Sequence, residues 1–270
     1  MSIEESVAVS NMTDATLSCK AKIVRGQATI GSWITLGHPA IAEIMARAGF
    51  DWLVIDLEHS TISVESAGEL IRVIDLCGVV PLVRLTSNHP DQVKRVMDAG
   101  AHGIVVPMVN SRAEAERAVA SVHYAPQGNR GVGLARAQRY GPGFQDYLEW
   151  QKDGPIVIVQ VEHSDAVERL DDILTVPGVD GFIVGPYDLS CSLGIPGQFE
   201  HADFLSAMER IRATAQRLSV VSGLHVVEPD GERLVQAMGE GYRFIAYSVD
   251  IRLLDVGVRH GMNRFKELRT

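Results

Sequence analysis

Eight short runs rich in β-branched residues, each followed by a stretch with apolar residues at helical spacing, constrain the fold of this chain more than any other feature. The runs fall at 29–35, 52–56, 80–84, 103–106, 156–161, 181–184, 220–225 and 243–248. Helices are predicted near 39–48, 64–76, 90–99, 112–122, 164–173, 202–217, 229–238 and 251–267. Strands joined through a helix pair in parallel, and a parallel sheet must be covered on both faces. Eight such units in 270 residues match the length of a closed ring, so the pattern predicts an α/β protein built as a single (β/α)8 TIM barrel, with its reactive groups on the loops that follow the strands. An open doubly wound sheet is the alternative, but the first run leads into Gly37-His38-Pro39-Ala40 and not into a GxGxxG turn. Pro39, Pro90 and Pro229 stand at or beside helix starts, and Gly49, Gly78, Gly100 and Gly239 follow helix ends.

The barrel is expected over residues 28–270. Residues 1–27 lack sustained periodicity and read as an N-terminal arm; they also lack a basic start followed by an apolar stretch, so no secretory signal is expected. Cys19, Cys77 and Cys191 are odd in number, far apart and free of CxxC spacing, which argues against a disulfide framework and for a reducing, cytoplasmic setting. No apolar run approaches the ~18–20 residues that would span a bilayer. The net charge of −9, without a basic stripe, argues against nucleic acid as a partner. One connection, 124–155, is unusually long and carries Arg130, Arg136 and Arg139 among glycines. It reads either as a lid or contact surface or as a connector with solvated arginines.

Polar groups collect where the apolar runs end. Asp56, Glu58 and His59 follow the second run, Gln160 and Glu162 close the fifth, and Gly185-Pro186-Tyr187-Asp188 follows the sixth. Gln160 and Glu162 are two apart, so they share one face of their strand. Asp188 lies in a tight turn into a helix, where free backbone N–H groups cradle a carboxylate. Two carboxylates from neighbouring strand ends are hard oxygen ligands that leave positions open, a set suited to Mg²⁺, Mn²⁺ or Co²⁺; the alternative makes Asp188 a helix cap and Glu162 a surface acid. His59 can move a proton near neutral pH, with Asp56 as the group that fixes its tautomer, or it can serve as a loop cap. Arg84 ends an apolar strand and needs an anionic partner there: a substrate oxygen, or Asp56, Glu58 or Glu162. Trp33 reads as a pocket wall or as a barrel-core aromatic. No lysine falls at a strand end, so Schiff-base chemistry is not expected and any carbonyl chemistry should be metal-assisted. A GxSxG elbow is also missing.

The segments Ala48–His59, Pro81–Arg84, Val106–Val109, Arg130–Gly133, Gln160–Glu162 and Val179–Ser190 resemble, in order, those of the HpcH/HpaI class II pyruvate aldolases, the group that includes 4-hydroxy-2-oxoheptanedioate and 2-dehydro-3-deoxyglucarate aldolases. The resemblance implies a divalent-metal-dependent lyase that reversibly cleaves 4-hydroxy-2-oxo acids to pyruvate and an aldehyde through a metal-bound pyruvate enolate, with oxaloacetate decarboxylation as a side activity. It implies Glu162 and Asp188 as metal ligands, His59 as acid/base, Arg84 as the group that stabilises the enolate oxygen and Asp56 as the acid beside the histidine. Gln160 and the Gly185–Asp188 turn, Pro186 included, stand where the family contacts pyruvate, and Trp33 where it has a pocket residue. Asp98 matches an acid that reaches the site of a neighbouring subunit, and the assembly implied is a homohexamer, a trimer of dimers, with the last helix exchanged between subunits. Tyr187 and His225 depart from the family at the aldehyde end. Related readings are a CoA-ester lyase of the citrate lyase type, which would use Arg130, Arg136 and Arg139 for phosphates, and a macrophomate-synthase-like oxaloacetate decarboxylase.

Overall fold

In the computed structural model, which describes residues 11–268, every predicted strand pairs in parallel with the next and the eighth returns to the first. The strands are β1 (Thr29–Ile34), β2 (Trp52–Asp56), β3 (Val80–Arg84), β4 (Gly103–Val106), β5 (Ile156–Val161), β6 (Gly181–Val184), β7 (Val221–Val226) and β8 (Phe244–Val249). The helices are α1 (Asn11–Val24), α2 (Pro39–Ala46), α3 (Val64–Leu76), α4 (Pro90–Asp98), α5 (Arg112–Val122), α6 (Phe144–Asp153), α7 (Ser164–Glu168), α8 (Leu170–Leu174), α9 (Pro186–Ser192), α10 (Ala202–Leu218), α11 (Gly231–Gly239) and α12 (Asp250–Glu267). The (β/α)8 barrel follows as expected. Strands β2 to β6 match their predicted bounds residue for residue, whereas β1 ends one residue early and β7 and β8 are each displaced by one residue at both ends. Those three meet where the β1–β8 register slips between Gly31 and Trp33 and where Ser248 adopts φ 56°, irregularities that alternation does not encode.

Alternation along each strand divides the core in two. Trp52, Val54, Val80, Leu82, Val105, Ile156, Ile158, Ile183 and Phe244 pack inside the barrel, while Leu53, Ile55, Val83, Ile104, Val157 and Val159 face the helices. Trp52 and Phe244, the largest fully buried inner residues, stack at 4.0 Å. Gly31 makes room for them: a Cβ there would lie 2.1 Å from the Trp52 ring.

The N-terminal arm of the sequence reading holds a helix. Within α1 Cys19 and Ile23 are buried in the inner cluster, Lys20 donates to Asp180 (2.6 Å) and to the Pro155 carbonyl, and Lys22 donates to Asp51 (2.6 Å). Asp51, Pro155 and Asp180 precede β2, β5 and β6, so α1 closes the amino end of the barrel. Its described apolar contribution is two residues four apart, too short a pattern to register as a helix face in the sequence.

The 124–155 connection also belongs to the amino end, because it leads from α5 into β5. It is not a lid over the strand ends that carry the acids, and of its arginines Arg130 and Arg136 are paired and largely buried while Arg139 stays exposed. Arg130 is buried, donates to Asp98 (2.8 Å) and to the Tyr147 hydroxyl (2.7 Å) and lies over the Tyr124 ring. Arg136 donates to Asp75, and Arg139 pairs with Asp146 at 3.4 Å. The connection further contains α6, and the helix predicted over 164–173 is broken at Arg169, whose φ and ψ of −106° and 19° are not helical. Among the described residues no helix is long and apolar enough to cross a membrane.

At the other end of the chain, Asp250 accepts hydrogen bonds from the backbone N–H groups of Thr35 and Leu36 and from the Thr35 hydroxyl, tying the start of α12 to the end of β1. Beyond Asp250 the helix is not buried: Ile251, Leu254, Val258 and Met262 form an exposed apolar stripe.

Because Lys20 is the cation held against the buried Asp180 carboxylate, Lys20→Ala should lower the unfolding free energy by about 3 kcal/mol, the usual scale for leaving a buried charge without its partner. Urea denaturation of the two proteins checks this; a change below about 0.5 kcal/mol would show that α1 does not brace the barrel floor.

Candidate active site

The site begins with strand register. In the β2–β3 pair Asp56 stands directly opposite Arg84, and both are the last residues of their strands. The guanidinium donates Nε to Oδ1 (2.8 Å) and Nη2 to Oδ2 (2.6 Å), a bidentate fork that matches the carboxylate geometry. Its plane lies over Trp33, 4.3 Å from the ring centroid. Asp56 also accepts the backbone N–H groups of Glu58 (3.0 Å) and His59 (3.3 Å), which folds the chain after β2 back over the strand end.

This arrangement corrects the expectation for Asp56. Its carboxylate does not hold the His59 imidazole; Arg84, facing it across the ladder, takes both oxygens. The acid nearest the ring is Glu58, whose Oε2 is 3.8 Å from His59 Nε2 and 3.5 Å from Arg84 Nη1. Burial pushes the Glu58 carboxyl up to about 7; Arg84 opposes the shift, and Glu162, Asp56 and Asp188 add to it. The sequence offers Glu58 only as one possible partner of Arg84, with no role of its own. Its only signal there was its place between Asp56 and His59, and alternation alone does not say which of three consecutive polar residues turns inward.

Glu162, 3% exposed, is aimed by two donors: Met108 N–H to Oε1 (2.6 Å) and the Gln160 amide to Oε2 (2.5 Å). Met108 takes φ 52° just beyond β4, and its backbone contribution has no signature in residue type. Desolvation raises the Glu162 pKa, the two hydrogen bonds lower it, and Asp188 raises it further. Gly185 sits against this carboxylate, since a Cβ there would come within 2.7 Å of Glu162 Oε2. The glycine opens the α9 turn, where Pro186 takes the first helical position and Asp188 lies in the first turn. The Ser190 hydroxyl pins the turn by donating to the Tyr187 carbonyl and accepting from Gly197 N–H. Tyr187 is exposed, with its ring edge-on to Phe199.

A cavity of about 290 Å³ at the carboxyl ends of the strands gathers these groups. Trp33, His59, Arg84, Gln160, Glu162, Gly185, Pro186, Tyr187, Asp188 and His225 all line it, with Val227 at its edge. Two of the predicted site residues do not line it: Asp56 lies behind Arg84, and Asp98 lies at the end of α4, bound to Arg130. Larger clefts of about 770 and 380 Å³ flank the amino end, lined among others by Lys20, Arg25 and His123, and by Arg212, Tyr242 and Arg243. The larger of them also holds Asp153, Asp180, His123 and Arg25, but there Lys20 is bound to Asp180 and the His123 ring to the Gln151 carbonyl.

The donor chemistry fits a hard cation. Glu58, Glu162 and Asp188 raise one another's energy when ionised, the Gln160 carbonyl oxygen is buried without a partner, and Gly185 leaves the space beside Glu162 that a side chain would fill. Among the described residues no group of three His, Cys, Asp or Glu side chains has metal-binding geometry. With Glu162 and Asp188 as its carboxylates, a cation here would leave its other positions to water and substrate.

The fold and this strand-end constellation define a lyase-type barrel site, and comparison with known proteins places it. The sequence profile of the HpcH/HpaI aldolase/citrate lyase family matches residues 29–255. The chain is 37% identical over 236 residues to hydroxypyruvate/pyruvate aldolase of Sagittula stellata, covering 87% of this chain and 92% of that protein. It is 38% identical over 240 residues to 4-hydroxy-2-oxo-heptane-1,7-dioate aldolase of Shigella sonnei, covering 88% and 90%. The crystal structure of a family protein from Burkholderia cenocepacia superposes with a TM-score of 0.85 at 33% identity, covering 94% and 99% of the two chains. The chain belongs to the HpcH/HpaI aldolase/citrate lyase family and is an enzyme of the aldolase type.

The raised Glu58 pKa has a consequence for stability. Between its ordinary value of 4.5 and about 7 the folded state binds a proton that the unfolded chain has released, so stability should fall as pH rises through that window. In chelator-treated buffer, urea midpoints from pH 4.5 to 7.5 should show a decline that Glu58→Gln reduces. An identical slope in both proteins would assign the decline elsewhere.

Proposed function

We propose that this cavity cleaves 4-hydroxy-2-oxo acids reversibly to pyruvate and an aldehyde, with Mg²⁺, Mn²⁺ or Co²⁺ held by Glu162 and Asp188. The observation that carries the reading is the convergence on one cavity of the aimed Glu162 carboxylate, Asp188 in its turn, Arg84 and His59. When bound, the cation supplies Lewis acidity toward the carboxylate and keto oxygens of the substrate.

The protein's own groups do the rest. Gln160 and the Gly185–Asp188 turn position the pyruvate half. Arg84, held flat between Asp56 and Trp33, keeps N–H groups at Nη1 and Nη2 beyond those given to Asp56, and they face the oxygen on which charge develops. In cleavage, His59 removes the proton of the 4-hydroxyl, the C3–C4 bond breaks, its electrons pass to the keto oxygen as the enolate, and the aldehyde leaves. The proton returned to C3 forms the pyruvate methyl group. His59 suits the task by access, since its side chain is 65% exposed while its partner acid Glu58 is largely buried. The same enolate arises from oxaloacetate when CO₂ leaves, so decarboxylation accompanies the aldol chemistry.

Two observations support this reading over its relatives. Among the described residues no lysine lines the cavity, in keeping with the absence of a Schiff base. The arginines that a CoA-ester lyase would offer to phosphates are committed to Asp98, Asp75 and Asp146 at the opposite end of the barrel. The uncovered stripe on α12 supports a homo-oligomer, a trimer of dimers that exchanges this helix, in which Asp98 completes the site of a neighbouring copy. Three cysteines, none in a disulfide, support a cytoplasmic setting.

Glu162→Ala and Asp188→Ala should each lose Mn²⁺ binding, followed by calorimetry, together with pyruvate release from a 4-hydroxy-2-oxo acid, because two protein ligands leave little redundancy. Full activity in metal-free buffer would end the metal-dependent assignment. His59→Ala should retain Mn²⁺ binding and lose turnover by roughly 10²–10⁴-fold, the range for a positioned acid/base group, with the exchange of pyruvate methyl protons in deuterated water falling in parallel. Wild-type exchange in that variant would remove His59 as the base.

A further inference from the structure

The cavity contains, at the position expected to face the aldehyde, a histidine whose hydrogen-bonding state is settled by its surroundings. His225, near the end of β7, lines the cavity, and its Nε2 is 3.0 Å from the carbonyl oxygen of Ser248. A carbonyl only accepts, so Nε2 carries the hydrogen. Burial, the first cause, lowers the ring's pKa to about 4; the Ser248 carbonyl and Asp56 raise it, and Arg84 lowers it further. The imidazole is therefore neutral at physiological pH, and Nδ1 is a lone-pair acceptor. Among the described residues Nδ1 has no hydrogen-bond partner, and it is not fully enclosed, which leaves it for a ligand in the cavity that the ring lines.

The surrounding backbone is shaped around this ring. Ser248 occupies the left-handed region at φ 56°, a conformation disfavoured for a residue with a side chain. It is held there with its hydroxyl donating to the Val227 carbonyl (3.0 Å) while its own carbonyl receives His225 and the Ser32 hydroxyl. Across the cavity wall the β1–β8 register slips between Gly31 and Trp33, and Trp33 lies against the imidazole, with ring centroids 5.7 Å apart. Bulges beside active sites commonly re-aim a side chain in this way.

The charges complete the case. Arg84 is the one Arg or Lys among the described cavity-lining residues, and Asp56 and Glu58 surround it. Beside His225 the cavity thus presents the Trp33 ring and a neutral lone pair, and its one guanidinium is already engaged by Asp56 and Glu58 and so is not free for a second carboxylate. Resting on the aldolase reading above, we infer that His225 selects an uncharged aldehyde bearing a hydroxyl group, whose O–H donates to Nδ1, over both the matching deoxy aldehyde and a carboxylated semialdehyde. A site built to hydrogen-bond a hydroxyl discriminates strongly against the analogue lacking it, because the buried acceptor is then left unpaired.

The test compares glycolaldehyde with acetaldehyde, which differ by that hydroxyl, as acceptors for pyruvate with the Mn²⁺-loaded full chain, and includes succinic semialdehyde. In the wild type kcat/KM for glycolaldehyde should exceed that for each of the others by about tenfold or more, and His225→Leu should bring the glycolaldehyde-to-acetaldehyde ratio to within about twofold of one. The ratio cancels any loss common to both aldehydes. A ratio unchanged by the substitution, or a wild type that prefers succinic semialdehyde, overturns the assignment. Pyruvate methyl-proton exchange in the wild type separates the layers: exchange with the wrong aldehyde ranking defeats this inference alone, whereas neither exchange nor aldol product defeats the aldolase reading and this inference with it. ¹⁵N NMR of the wild-type imidazole decides without turnover or a variant. Nδ1 should be unprotonated from pH 5 to 8 and shift with glycolaldehyde but not with acetaldehyde; a protonated Nδ1 at neutral pH would sink the proposal.

Discussion

The bidentate pair between Asp56 and Arg84 organises the carboxyl end of this barrel. Strand register brings the two side chains face to face at the ends of β2 and β3, where Asp56 is 1% exposed and a lone charge would be costly. With both oxygens taken, Asp56 orients the guanidinium against Trp33 and draws in the backbone N–H groups of Glu58 and His59. His59 is thereby set at the cavity rim and Glu58 turned inward. The acid once expected to tune the histidine instead builds the platform on which the histidine stands.

The two ends of the barrel use the same residue types for different purposes. At the amino end, charges pair off: Lys20 with Asp180, Lys22 with Asp51, Arg130 with Asp98 and Arg136 with Asp75. These pairs seat α1 and the 124–155 connection against the barrel floor. At the carboxyl end the balance is acidic, with Glu162 and Asp188 lining one small cavity, Glu58 near enough to feel both, and Arg84 already claimed. Like charges held close in a poorly solvated site lack compensation of their own, and such a cavity attracts a cation.

Much of this was legible before the structure. Parallel strands buried on both faces are continuous apolar runs, so β2 to β6 could be bounded to the residue, and their number gave closure. The cavity members Trp33, His59, Arg84, Gln160, Glu162, Asp188 and His225 all stood at the ends of predicted strands or on the turns after them. Helix α1 was not legible, because its described apolar contacts are two residues whose surroundings come from the far side of the chain. Glu58 and the backbone of Met108 were missed for a related reason: one needed the inward turn of a loop, the other a left-handed φ that residue type does not announce.

Local pattern by itself determined the strands, the helices that separate them, and hence the barrel and the end at which chemistry would gather. Periodicity of two and 3.6 is a property of neighbouring residues, and burial reads it directly. Only tertiary structure decided which charge meets which. Asp56 could have served His59 or Arg84, Arg130 could have met solvent or Asp98, and the His225 ring could have carried its proton on either nitrogen. Each choice was made by a group more than twenty residues away, brought within about 3 Å by strand register or by a strained turn. Hydrogen-bond energy depends on that last ångström, which sequence spacing does not contain.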